Sequence, residues 1–514
     1  QALPVDMTQC LGQAGGDLVD GFDPAAGDSH ATEDHRRVPE AGAGGAPCAA
    51  YGSPDPAART DLWEAAAMNP YLQGSMAPIA EEVTAFDLPV TGTVPAELEG
   101  RWLRNGPNPR GVADPATHHW FLGDGMVHGV RLRGGKAEWY RNRWVRGARI
   151  AADLGEDPPS GRSNGDRDFG PNTAVGGFAG KTWAMVEAGT TPMTLTYELD
   201  TIGYDGFDGT LPGGFTAHPK YDPATGELHA VCYSYPDRLD RVQHVVVGNG
   251  GRVVKATDVP VDGMPMIHDM SLTARYALVY DLSVCLDIEE AMGGGLFPFA
   301  WNPDHQARVG LLPRDGTAAD VIWCEAPQCY VFHPANAYDA DDGTVVVDLC
   351  RYDRMFDRDR NGPVGDSAPT FARWVVDPAT ATVSETQIAD GHHEFPTHDP
   401  RVGTRRHRYA YTADGLGLGP TQQVDVETGD IVIHDHGEGR FGAEPLLVPK
   451  DGSTDEGVGW VLVCVNDRAG GPAELVVLDG EDLAAEPVAR IHLPQRVPDG
   501  FHGNWVPDAS VPPG

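Results

Sequence analysis

The chain has 514 residues, 41% of them hydrophobic and 22% charged, enough apolar material for a large buried core. Lys and Arg number 38 against 75 Asp and Glu, giving a formal net charge of −37. That sign is wrong for a protein that must neutralise phosphates, so no nucleic acid partner is expected. Eight cysteines, at positions 10, 48, 232, 285, 324, 329, 350 and 464, form no CxxC pair and read as reduced thiols of a cytoplasmic protein. No run approaches the roughly 18 apolar residues of a membrane span, and no secretory leader pattern opens the chain.

Residues 1 to 60 are rich in Gly, Ala, Asp and Pro, as in Ala41-Gly-Ala-Gly-Gly-Ala-Pro47, and are expected to form a disordered or loosely packed extension. Residues 61 to 514 are expected to form one domain. From Asn69 onward the texture changes to short apolar runs such as Trp183-Ala-Met-Val186, Ala277-Leu-Val-Tyr280, Val345-Val-Val347 and Trp460-Val-Leu-Val463, bounded by Gly, Asp or Pro. These predict densely spaced strands. Asp222-Pro-Ala-Thr-Gly226, Asp377-Pro-Ala-Thr-Ala381 and Asp425-Val-Glu-Thr-Gly429 each lie between two such runs and predict hairpin turns closed by an Asx-type bond. The last two begin 48 residues apart, near the length of one four-stranded propeller blade. An all-β propeller is therefore expected, with a pair of β-sandwiches as the alternative.

Four of the 19 histidines stand apart by context: His218 in Phe215-Thr-Ala-His-Pro-Lys220, His268 in Met266-Ile-His-Asp-Met270, His333 in Tyr330-Val-Phe-His-Pro334 and His502 in Gly500-Phe-His-Gly-Asn-Trp505. Their separations of 50, 65 and 169 residues exclude a local metal motif. Taken singly, each is most simply a hydrogen-bonded core histidine. His118-His119, His392-His393 and His434-Asp-His436 look like metal motifs but are not read as such, since their turn and loop contexts are compatible with exposed residues. Gly123-Asp-Gly125 and Gly415-Leu-Gly417 lack the rest of a dinucleotide fingerprint, and no GxSxG elbow appears.

The ordered motifs Gly100-Arg-Trp-Leu-Arg-Asn-Gly-Pro-Asn-Pro109, Trp120-Phe-Leu-Gly-Asp-Gly-Met-Val-His128, Thr216-Ala-His-Pro-Lys220, Ile267-His-Asp269, Phe332-His-Pro-Ala-Asn336, Glu394-Phe-Pro396, Glu444-Pro-Leu-Leu-Val448 and Phe501-His-Gly-Asn504 resemble those of the carotenoid cleavage oxygenases. The resemblance runs from about residue 69 to 507. It implies a seven-bladed β-propeller with a helical or loop cap over an axial Fe(II). The implied ligands are His218, His268, His333 and His502, with Glu187, Glu394 and Glu444 orienting their imidazoles from behind. Thr173, fourteen residues before Glu187, is placed by the same pattern beside the sixth coordination position. One departure is Gly147 after Arg143-Trp-Val-Arg146, where the family usually has Thr.

The resemblance implies O2 and an apolar polyene or aromatic alkene as substrates, with transient membrane-surface contact for uptake. Within it, cleavage of a carotenoid or apocarotenoid double bond is the expected activity, and stilbene or phenylpropanoid cleavage the alternative. Stilbene cleavers typically engage the phenol with a Tyr and a Lys, yet no lysine lies between Lys136 and Lys181. The segment Ala291-Met-Gly-Gly-Gly-Leu-Phe-Pro-Phe-Ala-Trp-Asn-Pro303 resembles the apolar tunnel mouth of carotenoid-type members and nominates Leu296, Phe297, Phe299 and Trp301. A catalytically idle binding module is the third reading, disfavoured because an idle scaffold has no reason to keep seven polar residues on one axis.

Overall fold

The computed structural model describes residues 69–513 except 167–169, 236, 364 and 416–418. The expected extension at residues 1 to 60 lies outside the described residues. Antiparallel sheets of short strands, arranged around one axis, account for nearly all the regular structure. A five-stranded sheet pairs Gly100–Pro107 on one side with Gly125–Arg133 and on the other with Gly503–Pro507, so strands far apart in the chain close the ring. Four-stranded meanders follow at residues 174–204 and 220–260, with another at 394–434. A six-stranded sheet is centred on Gly459–Asp467 and Glu474–Asp479.

Residues 271–325 and 334–389 form two further four-stranded meanders, which a single parallel pairing of Glu325 with Thr382 joins into one eight-stranded sheet. Strand pairing therefore delivers six sheets of four or more strands, because two meanders touch at their outer edges, together with a two-stranded ribbon of Val284–Leu286 and Phe299–Trp301. The innermost strands pack side by side around the axis. Ser271–Leu272 lies on Pro334–Asp339, which lies on Glu394–His398, then Leu446–Pro449, then Gly503–Pro507, and finally Ala174–Phe178.

Alternation along each strand explains how neighbouring sheets pack. Trp102 and Leu103 are adjacent and both fully buried, but they face opposite ways. Trp102 joins Leu462, Leu475 and Ile491 of the preceding sheet, whereas Leu103 joins Val175, Met193 and Leu195 of the next. The predicted turns form as expected: the carboxylates of Asp222, Asp377 and Asp425 accept the amide N–H two residues on, from Ala224, Ala379 and Glu427. Gly226 and Gly429 take left-handed backbone at φ +72° and +80°, and Ala381 takes it at +56°.

Helix is scarce. Among the described residues the α-helices are Ala148–Leu154 and Ile288–Met292, and no helix is long and apolar enough to cross a membrane.

Candidate metal centre

All four singled-out histidines lie just before an inner strand. His218 precedes Lys220–Tyr221, His268 precedes Ser271–Leu272, His333 abuts Pro334–Asp339 and His502 abuts Gly503–Pro507. Each strand starts at the same end of the axis, so four residues scattered over 285 positions of sequence meet at one height. One nitrogen from each lies within 4.8 Å of the others, and all four residues are buried. Ring centroids stand 4.4 Å apart for His218 and His268, 4.4 Å for His218 and His502, and 4.7 Å for His333 and His502. The Nε2 atoms of His268 and His333 approach to 3.1 Å.

Three of the rings are held from behind by carboxylates. Nδ1 of His268 lies 2.8 Å from Glu187, that of His333 lies 2.6 Å from Glu394, and that of His502 lies 2.8 Å from Glu444. The carboxylates are themselves fixed. Tyr233 donates its hydroxyl to Glu187, Tyr352 donates to Glu394, and the Gly503 amide donates to Glu444. Glu394 also accepts the amide of Phe395, whose left-handed φ of +50° marks the irregular pairing between Glu394 and Thr397. That distortion turns the Glu394 side chain toward His333, strain stored where it orients a functional group.

Electrostatics favour the neutral imidazole at two of the four positions, His218 and His333. Burial, and after it the neighbouring rings, hold His218 and His333 well below the ordinary histidine value. Burial also pulls His268 down, but Glu187 outweighs it and holds that ring above the ordinary value. Burial pushes Glu394 up to about 7 against the opposing Phe395 amide and Tyr352 hydroxyl. Nε2 of His218 is buried with no protein partner. An orphaned nitrogen facing three other imidazoles fits a metal, and a set of four imidazole nitrogen donors suits a divalent transition ion better than Mg or Ca.

Thr173 is buried, and its carbonyl accepts the His502 amide at 3.0 Å, while its hydroxyl donates to Asn172. The nominated tunnel residues separate. Leu296 is exposed. Phe297 stacks on His119 at 4.2 Å and meets Phe121, Phe299 and Phe356 edge-on or tilted. Phe121 and Phe356 in turn meet Phe332, whose ring packs edge-on against His268 at 5.0 Å. Phe299 faces Tyr233, and Trp301 lies under the Arg354 guanidinium.

Of the paired histidines, whose contexts are compatible with exposure, His118, His119, His393, His434 and His436 are buried. None joins the quartet. They instead satisfy local needs, His393 bonding Thr412 and His436 bonding Thr421. Tyr233 and Tyr352, which steady two of the carboxylates, carry no sequence signal beyond their place on apolar runs. Phe121 and His119 lie in or beside the Trp120-Phe-Leu-Gly motif and were legible only as its neighbours.

Residues 76–507 match the family described as "RPE65: Retinal pigment epithelial membrane protein". The chain is 44% identical over 502 residues to the carotenoid cleavage oxygenase of Mycobacterium tuberculosis, covering 87% of this chain and 99% of that one. Its fold superposes on the lignostilbene dioxygenase of Pseudomonas brassicacearum with a TM-score of 0.78 at 27% identity, covering 86% and 99% of the two chains. Cobalt-substituted Synechocystis ACO gives a TM-score of 0.74 at 25% identity, covering 83% and 96%. With its four-histidine centre set in a propeller and matches of this extent, the chain belongs to the carotenoid cleavage oxygenase family.

Proposed function

We propose that the chain is an Fe(II)-dependent dioxygenase that cleaves a conjugated C=C bond of a carotenoid or apocarotenoid. The observation that carries this is the juxtaposition of four imidazoles with a wall of aromatic rings reaching His268 through Phe332. We read the two meanders of the eight-stranded sheet as separate blades, a reading that makes the propeller seven-bladed.

The reaction balances without an external reductant: one C=C bond and O2 are consumed, two C=O bonds form, and each carbonyl keeps one oxygen atom. Fe(II), when bound by His218, His268, His333 and His502, supplies the redox-active centre for O2 chemistry. Glu187, Glu394 and Glu444 hold the Nδ1 proton on three rings, which leaves each Nε2 free to face the axis. We assign Thr173 to the substrate side of the centre, tied to it through His502. Phe297, Phe121, Phe356 and Phe332 offer flat apolar faces to a polyene and exclude water from it. Exposed Leu296, Met292 and Leu122 suit a mouth that touches a membrane surface during uptake. The six described cysteines are buried free thiols, in keeping with a cytoplasmic enzyme.

Stilbene cleavage is the second reading, favoured by the likeness to the lignostilbene dioxygenase. The lysine-free stretch between Lys136 and Lys181 weighs against it. Fe(II)-loaded protein incubated under 18O2 with carotenoids, apocarotenals and stilbenes decides between them by mass spectrometry. The expected result is a pair of polyene-derived carbonyls, each carrying one 18O. Turnover of stilbenes alone would establish the second reading, and no cleavage of any substrate would overturn both.

A further inference from the structure

His218 is the one member of the quartet that none of the three glutamates holds through Nδ1. Its Nδ1 instead lies 3.7 Å from Oδ2 of Asp269. That separation is too long for a hydrogen bond, but it is a direct electrostatic contact in a buried site. Asp269 follows the ligand His268 in sequence, and its side chain is only 2% exposed. Both of its oxygens are fixed: Oδ1 accepts the Met270 amide at 2.6 Å, and Oδ2 accepts Lys220 Nζ at 2.7 Å. Lys220 stands two residues after His218, on the inner strand that His218 leads into.

The arrangement repeats the logic of the other three ligands, in which an imidazole is backed by a carboxylate whose second contact locks it in place. It differs in carrying its own cation. Three glutamates already outnumber the two charges of a divalent ion, and a fourth free carboxylate would add further repulsion in a buried space. Lys220 makes the added group neutral overall, and it does so at Oδ2, the same oxygen that lies nearest His218.

We propose that Asp269 and Lys220 act as a unit that positions His218 for metal binding. The inference rests on the four-histidine reading of the site. Its test is titration of the metal-free protein with Co(II), following both the dissociation constant and the visible ligand-field absorption. If the wild-type chain binds no Co(II), the metal reading itself fails. If it binds, Asp269→Asn and Lys220→Met should each weaken binding by roughly 10-fold or more, within the 10 to 100-fold range typical of outer-layer partners of metal ligands. Each should also shift the absorption bands.

The double variant should be no weaker than the worse single variant, and Lys220→Arg, which retains the cation, should restore most of the affinity. Lys220 is partly exposed, so its variants remain informative even where Asp269→Asn fails to fold. Melting of the metal-free protein separates a positional effect, which leaves it unchanged, from general destabilisation. Affinity and spectrum unchanged in Lys220→Met would overturn the proposal, as would additive losses in the double variant.

Discussion

The hydroxyl of Tyr352 donates to Oε1 of Glu394 across 3.1 Å, and both residues are sealed from solvent. Tyr352 therefore acts on the metal site at two removes, through Glu394 and then His333. Tyr352→Phe leaves a buried carboxylate oxygen without that donor, a loss of about 1 to 3 kcal/mol. Metal affinity should fall by about threefold to tenfold, less than in Glu394→Gln, while the far-ultraviolet circular dichroism stays unchanged. Equal affinity in Tyr352→Phe and wild type would show that the hydroxyl contributes nothing to the site.

Acid should destabilise the protein well above the carboxylate range. Burial, with a smaller push from Arg104, lowers His128 from 6.5 to about 3, and its Nδ1 is bonded to Tyr140. The unfolded chain therefore binds a proton that the folded chain refuses between pH 6.5 and about 3. Stability from this group is complete above pH 6.5 and declines as the pH falls toward 3, by about 1.4 kcal/mol per unit. His119, His244, His407 and His436, lowered to about 3 chiefly by burial, act in the same direction. Urea melts of metal-free protein at pH 6, 5 and 4 should show a shallower pH slope for His128→Gln than for wild type.

Ala381 occupies the left-handed turn position that Gly226 and Gly429 fill in the two matching hairpins. A Cβ at positive φ is strained, so Ala381→Gly should stabilise the protein by about 0.5 to 1 kcal/mol despite the added freedom of the unfolded chain. A denaturant midpoint that moves down would mean that the turn tolerates alanine without strain.

Phe297 touches His119, Phe121, Phe299 and Phe356, but none of the quartet. Phe297→Ala should raise KM for a long apocarotenal several-fold and leave metal content at the wild-type level. Loss of metal in this variant would place Phe297 in the support of the centre rather than in the path to it.

The quartet and the glutamates were legible through the family resemblance, which the short motifs around each histidine and those opened by Glu394 and Glu444 carry, whereas each histidine taken singly reads as a core residue. The hairpin turns were readable from Asp and Gly spacing, where local chemistry dictates the backbone. What stayed hidden depends on contacts between distant strands. Nothing local in His393 or His436 announces burial, since the same dipeptides serve equally well in exposed loops. The merger of two meanders through Glu325 and Thr382 is likewise a matter of sheet edges meeting in space. Asp269 and Lys220 were present in the quoted motifs, but their pairing needed the inner strands to be brought together.

Ring closure by Gly503–Pro507 also sets an order of events during synthesis. At about 5 to 20 residues per second, the 169 residues between His333 and His502 take roughly 8 to 34 seconds to make. Throughout that interval a nascent chain owns three of the imidazoles and lacks both the fourth and the strand that seals the first sheet. Three imidazoles with an open position are a donor set that zinc accepts readily. A polypeptide that ends before residue 502 therefore lacks both the fourth imidazole and the strand that closes the ring, so the complete donor set and the closed sheet are products of the same last stretch of synthesis.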